Sequence, residues 1–347
     1  MPPLDDRRAR PSRLENVWST LRSEDGPSKY QSNARPPSEH LANFSKMSVP
    51  ETVEPQWVAA NLGNIKLLDA TYTMKPKMDP NEFKAKYYGK FGVMMHELKN
   101  QEYLAEHITG AAHFNADIAY YPTENERFAL YDSKDFEQYV RRLGVNVGDH
   151  LVIYSRGPNG GIPFAARAWW TFRLYGHNTV SVMNGGLEAW KAITGVVKSG
   201  EDLISPGNWE AKPLDKTSLA SFEEIPFDNL GSVVYLDGRP KELWTGKEPL
   251  GYPNSSATGS RVKGAKHFPL TEVIGPKGYK KKTDVDAAIS KLNIQPGQQV
   301  ILSCNLGVGA AALYLAFARS GIPAKVYNGS MHELAHRNPG VITEKGQ

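Results

Sequence analysis

An α/β fold built twice over, each copy a mostly parallel sheet flanked by helices, is what this 347-residue sequence predicts. Three observations carry that expectation. Residues 142–155 align without a gap against residues 291–304, and three further blocks match in the same order: 67–70 with 235–238, 110–114 with 264–268, and 182–185 with 326–329. Self-similarity of that kind marks a duplicated unit. In both halves short apolar, β-branched runs alternate with helix-forming stretches, the pattern of parallel strands joined by helical crossovers. The single cysteine, Cys304, stands in the second copy where the first has Ser155.

Along the chain, the first copy reads as a strand over 65–69, a helical stretch near 100–106, a helix over 134–143, a strand over 151–154, a helix over 164–175 and a strand over 180–183. The second copy repeats the order from Val233, with a helix over 284–292, a strand over 300–303, a helix over 310–320 and a strand over 325–327. Residues 73–99, rich in Lys, Met, Tyr and Gly, have no counterpart in the second copy and read as a surface excursion. The resulting division is a disordered extension over 1–50, a first domain over 51–198, a linker over 199–220 marked by Gly200, Pro206, Gly207 and Pro213, and a second domain over 221–340. The extension is polar and proline-punctuated. Its Arg7, Arg8, Arg10 and Arg13 suit a mitochondrial presequence, whereas Asp5, Asp6 and Glu15 do not. Met47 offers an internal start.

Composition removes several classes of function. A net charge of +4, with bases scattered among acids, argues against a nucleic-acid partner. No run approaches the ~20 apolar residues that a membrane-spanning helix needs. One cysteine excludes an internal disulfide and any Cys-clustered metal site, and points to a reducing compartment, cytoplasmic or mitochondrial. No cofactor is expected.

The residues around Cys304 suggest chemistry. The apolar run 299–303 delivers the thiol into a loop, Asn305-Leu306-Gly307-Val308-Gly309, that leads into the helix-forming stretch 310–318. A thiol at the C-terminal end of a strand and the N-terminal end of a helix sits where sheets of this type bind ligands, beside unpaired amides that favour an anion. The thiolate is the nucleophilic form of cysteine. The alternative is a buried cysteine acting as a small hydrophobe.

A duplicated α/β unit with a cysteine in its second copy resembles the two-domain sulfurtransferases of the rhodanese and 3-mercaptopyruvate sulfurtransferase family. The resemblance covers residues 54–339 and rests on residues 68–70, on 106–111 (Glu-His-Ile-Thr-Gly-Ala), on 167–170 (Arg-Ala-Trp-Trp), on 182–186 followed by Trp190, and on Cys304 with Gly307, Val308 and Ala310. It implies tandem rhodanese-like domains, the first silent at Ser155, and a persulfide formed on Cys304. The sulfur would come from a small anionic donor, thiosulfate or 3-mercaptopyruvate, and pass to a thiol or cyanide, thioredoxin among the acceptors. Asn305, Leu306, Gly307, Val308 and Gly309 would cradle the sulfur with backbone amides, the two glycines letting the chain fold around it. Arg239 would contact the donor or, alternatively, pair with Asp237.

This chain also departs from that pattern. Leu243 and Tyr252 stand where donor-binding arginines are expected, and Asn305-Leu306 follows the cysteine in place of Arg-Lys or Gly-Ser. His107 then reads as structural, and residues 328–331 (Asn-Gly-Ser-Met) replace Asp-Gly-Ser-Trp. Lys241, Lys247 and Arg261 are the nearby bases that could restore charge. A second reading follows: a rhodanese-fold binding or regulatory protein with weakened turnover. A cysteine phosphatase is set aside because Ala310 stands six residues after Cys304, where that chemistry needs arginine.

Overall fold

The computed structural model describes residues 49–252 and 254–346. The expected disordered extension, with its arginines and Met47, lies outside the described residues except at its last two positions.

Two five-stranded sheets form the frame. The first comprises β1 (Thr52–Val53), β2 (Lys66–Asp69), β3 (Ala112–His113), β4 (Leu151–Tyr154) and β5 (Val180–Met183) in the order β1-β5-β4-β2-β3, with every neighbouring pair parallel. The second comprises β6 (Leu219–Ala220), β7 (Val234–Asp237), β8 (Lys266–His267), β9 (Val300–Ser303) and β10 (Lys325–Tyr327) in the order β6-β10-β9-β7-β8, again all parallel. The two orders are the same, so the sequence repeat is a repeat of topology. Every residue of β4 and of β9 is buried, as expected of parallel strands covered by helices on both faces.

The equivalence extends to side chains. His113 Nε2 lies 3.0 Å from the Thr71 carbonyl in the first copy, and His267 Nε2 lies 2.9 Å from the Arg239 carbonyl in the second. Each ring is stacked on an aromatic neighbour, His113 on Tyr103 and His267 on Trp244. The Thr71 amide donates to Asp69 and the Arg239 amide donates to Asp237. Both strand ends are therefore closed by the same Asx turn.

Residues 73–99 are more than a surface excursion. They form α1 (Pro80–Lys86) and α2 (Phe91–Glu97), which bury Phe83, Tyr87, Phe91 and Met94 in the main core. Asp79 starts α1, its carboxylate accepting from the amides of Asn81 and Glu82, and Pro80 at the first helical position needs no acceptor. The helices that follow include α3 (Ser133–Arg142), α4 (Ile162–Leu174), α5 (Lys282–Ser290), α6 (Val308–Arg319) and α7 (Ser330–Arg337).

Helices α4 and α6, which follow Ser155 and Cys304 in their copies, pack on each other across the boundary between the halves. Trp169 and Tyr314 meet there with ring centroids 6.1 Å apart. Residues 310–318 of α6 are all buried, in keeping with a helix that is apolar all round. One hydrophobic cluster runs from Leu68, Ile153 and Trp170 in the first half to Leu236, Leu302 and Phe317 in the second. The segment expected to link the halves runs beside the first domain: the amides of Trp209, Lys212 and Asp215 donate to the carbonyls of Val145, Tyr175 and Leu174. Its last two residues form β6 of the second sheet. Beyond residue 340 the chain continues as a strand, Ile342–Glu344, paired antiparallel with Arg261–Val262.

Candidate functional site

Strand β9 brings Cys304 to the C-terminal edge of the second sheet, in register with β7 so that Ser303 faces Asp237. The chain then turns through Asn305 and Leu306 to Gly307, whose φ of +79° caps α6. Helix α6 begins at Val308, two residues earlier than composition suggests, because a valine and a glycine in the first turn cost little once the cap is set. The amides of Val308, Gly309 and Ala310 open the helix and have no intrahelical acceptor. Cys304 is 6% exposed, and its sulfur lies against this first turn: a Cβ at Gly309 would sit 3.6 Å from Sγ. The arrangement offers a partial positive charge to an anionic sulfur.

The two loop glycines have different jobs. A Cβ at Gly307 would come within 2.4 Å of the Asn328 carbonyl oxygen and 2.9 Å of Arg167 Nη1, and its φ is left-handed. Gly309 has no such backbone need, which corrects the expectation that both permit the turn. A side chain there would meet Cys304 itself, its Cβ 3.4 Å and its Sγ 3.6 Å away. Leu306 and Val308 turn their side chains onto the main core, so their share in any anion site is their backbone.

Ser330 was not foreseen as part of this site. It adopts φ +52°, its Oγ accepts from the Cys304 amide at 3.1 Å and donates to the Tyr327 carbonyl at 2.7 Å, and it lies 3.9 Å from Sγ. The Met331 amide donates to the Cys304 carbonyl and the His332 amide to the Asn305 carbonyl. Helix α7 thus holds the cysteine loop from behind. The retained Gly-Ser pair at 329–330 was the available signal.

The first domain closes the other side. Arg167, 1% exposed, donates from Nη2 to the Phe128 carbonyl at 3.0 Å and from Nη1 to the Gly307 carbonyl at 3.4 Å. Its guanidinium carbon lies 4.7 Å from the ring centroids of both Tyr120 and Trp170. Asn328 donates from Nδ2 to Glu126 at 2.7 Å and to the Phe128 carbonyl at 3.0 Å. An aspartate at 328 would set two carboxylates together, so Asn328 and Glu126 form a matched pair.

Burial pushes the Glu126 carboxyl above its ordinary value, against the Asn328 hydrogen bond, with Glu333 adding to the rise. A carboxyl held higher in the folded state binds its proton more tightly there. It contributes stability below the ordinary value of 4.5, and that stability is lost as pH rises through the folded value. Glu126→Gln keeps an acceptor for Asn328 without the charge. We expect its thermal midpoint to exceed that of the unaltered protein at about pH 8 and to match it at about pH 4; calorimetry at the two pH values checks this.

Arg239 is 1% exposed and locked to Asp237, with Nε 3.0 Å from both carboxylate oxygens and Nη2 at 2.6 Å, and Nη2 also donates to the Ser260 carbonyl. Only Nη1 is buried without a partner. Tyr252, where an arginine was expected, places its hydroxyl 3.4 Å from both the carbonyl and the side-chain oxygen of Asn305. Burial pushes this phenol up; Arg239 opposes the shift and Cys304 adds to it, so the three groups share one electrostatic neighbourhood. Arg261 is engaged elsewhere, donating to the carbonyls of Trp244 and Gly346.

His107 is fully buried, with Nδ1 2.9 Å from the Tyr103 carbonyl, its ring stacked on Tyr103 and Nε2 3.5 Å from Asp202. These contacts are all within the first domain and its trailing segment. Ser155 is likewise enclosed, its Oγ donating to the Ala70 carbonyl. The loop after it docks on the second domain: Asn159 donates to the Gly275 carbonyl, and Gly160 packs against the Lys277 carbonyl.

Comparison with known proteins agrees with this architecture. The rhodanese-like domain family matches residues 54–193. The Caenorhabditis elegans protein mpst-4, named as a candidate thiosulfate sulfurtransferase, is 50% identical over 293 residues, covering 84% of this chain and 86% of that protein. Human 3-mercaptopyruvate sulfurtransferase is 28% identical over 304 residues, covering 84% of this chain and 95% of the human one. The crystal structure of the Escherichia coli 3-mercaptopyruvate sulfotransferase SseA shares the fold at a TM-score of 0.65 and 24% identity, covering 81% of this chain and 99% of that one. Among the described residues no helix is long and apolar enough to cross a membrane.

Proposed function

The chain belongs to the rhodanese-like sulfurtransferase family, and from that premise we propose that it moves a sulfur atom from thiosulfate or 3-mercaptopyruvate to a thiophilic acceptor, the sulfur being carried as the sulfane sulfur of a persulfide on Cys304. The observation that carries this reading is the seat of Sγ against Gly309, at the first turn of α6. In the first step the thiolate attacks the transferable sulfur; an S–S bond forms while the donor's bond to that sulfur breaks, and the electron pair leaves with sulfite or with the enolate of pyruvate. In the second step cyanide or an acceptor thiolate attacks the outer sulfur, and Sγ departs as thiolate. The amides of Val308, Gly309 and Ala310 stabilise the anionic sulfur before, between and after the two steps. A small thiol, cyanide or a protein dithiol such as thioredoxin would serve as acceptor. A reducing compartment, cytoplasmic or mitochondrial, would keep the thiol free.

Steady-state rates with the two donors, side by side, test the proposal. Because Cys304 is the only cysteine, one equivalent of alkylating reagent should stop turnover with either donor. Turnover that survives complete alkylation would contradict it.

Leu243 and Tyr252, where donor-binding arginines are expected, favour a second reading, a binding or regulatory protein with weakened turnover. Leu243→Arg separates the two. If only the donor site has changed, thiosulfate turnover should rise by roughly tenfold, the scale on which a well-placed charge alters recognition. No gain, together with a Cys304 inert to alkylation, would favour the second reading.

A further inference from the structure

A cation of the first domain lies against the same aromatic wall as Tyr252. Lys77 belongs to the segment 73–99 that the second copy lacks. Its ammonium donates to the carbonyls of Thr123 and Glu124 at 3.0 and 3.1 Å and lies 3.5 Å from His332 Nε2. Among the described residues no carboxylate oxygen pairs with it, although Asp79 and Glu124 lie within electrostatic range. Arg127 stands beside it, donating to the Tyr72 hydroxyl and the Lys75 carbonyl, with Nε buried and unpartnered.

On the second domain Lys77 meets His332, which belongs to the wall of the cysteine loop. The His332 amide donates to the Asn305 carbonyl, one residue from Cys304, and its ring centroid lies 5.5 Å from that of Tyr252. Tyr252 in turn reaches Asn305 with its hydroxyl. Burial, then Lys77, His336 and Arg127, lower His332 to about 4, so the imidazole at this wall is neutral near physiological pH. Among the described residues, Glu333, which follows His332 on α7, is paired with Arg337, and no ion pair joins Lys77 to the second domain.

We propose that Lys77, backed by Arg127, holds the anionic end of the sulfur donor, a carboxylate or sulfonate, so that donor recognition has moved from the second domain to the first. This rests on the sulfurtransferase reading above. It also gives residues 73–99 a purpose beyond packing: α1 and α2 anchor the segment that carries Lys77 to the cleft.

Two measurements on Lys77→Gln and Lys77→Arg test it. The first is KM and kcat for 3-mercaptopyruvate. The second is the ratio of Cys304 alkylation rates with iodoacetate and iodoacetamide, which differ in charge; any change in thiol ionisation cancels in that ratio. We expect Lys77→Gln to raise KM roughly tenfold with a smaller effect on kcat, and to lower the iodoacetate-to-iodoacetamide ratio several-fold. Lys77→Arg should restore both. An unchanged KM, or equal slowing by both reagents, overturns the proposal. If nothing turns over while the alkylation ratio still depends on Lys77, the anion site stands and the sulfurtransferase reading fails. A Cys304 that reacts with neither reagent overturns both.

Discussion

Cys304→Ser should abolish sulfur transfer from either donor, lowering the rate by roughly a thousand-fold or more, as expected when the sole nucleophile is removed. The fold should survive, because what holds residue 304 is its backbone: its amide donates to Ser330 Oγ and its carbonyl accepts from the Met331 amide. The serine oxygen is smaller than sulfur and leaves the first turn of α6 in place. Initial rates for both donors, with thermal unfolding of the two proteins in parallel, check the prediction. Loss of activity accompanied by a large loss of stability would instead make Cys304 a packing residue.

Gly307→Ala has the second largest expected effect, on stability and activity together. Holding alanine at φ +79° costs about 1–2 kcal/mol, and forcing its methyl against the Asn328 carbonyl and Arg167 adds roughly 1–3 kcal/mol. Neither neighbour yields freely, since Asn328 is tied to Glu126 and Phe128, and Arg167 lies between Tyr120 and Trp170. The loop must shift away from the first domain, and the amides of the first turn move with it. A lower denaturation midpoint and a lower kcat are expected, while Gly309→Ala, which meets only ordinary contacts at 3.4 and 3.6 Å, should leave stability near its original value. Equal destabilisation by the two substitutions would contradict this assignment of roles.

The strands were legible because burial on both faces writes itself as continuous apolar runs; residues 151–154, 180–183, 300–303 and 325–327 are strands at those bounds. The two-residue strands β1, β3, β6 and β8 were not, being too short to carry any periodicity. Helices α1 and α2 are hard to see in the sequence because lysines, prolines and glycines interrupt residues 73–99, although Phe83, Tyr87, Phe91 and Met94 recur at spacings of three and four and all turn inward. Cys304 and its loop could be read locally, since strand, turn and helix are contiguous there. Ser330 and His332 reach the cysteine loop through the packing of α7 within the second half, while Glu126, Arg167 and Lys77 meet the second half only through the packing of one half on the other, which no local pattern encodes. Arg239 stood between two roles in the sequence; three contacts to Asp237 account for Nε and Nη2, leaving Nη1 alone for any ligand.

The central claim is that Cys304 carries sulfur between donor and acceptor. Intact-protein mass measurement after incubation with thiosulfate or 3-mercaptopyruvate, without acceptor, tests it most directly. The mass should rise by one sulfur atom, map to Cys304, and return to its starting value when a thiol acceptor is added. An unchanged mass with both donors, or a sulfur that stays on the protein after the acceptor is supplied, would contradict the account.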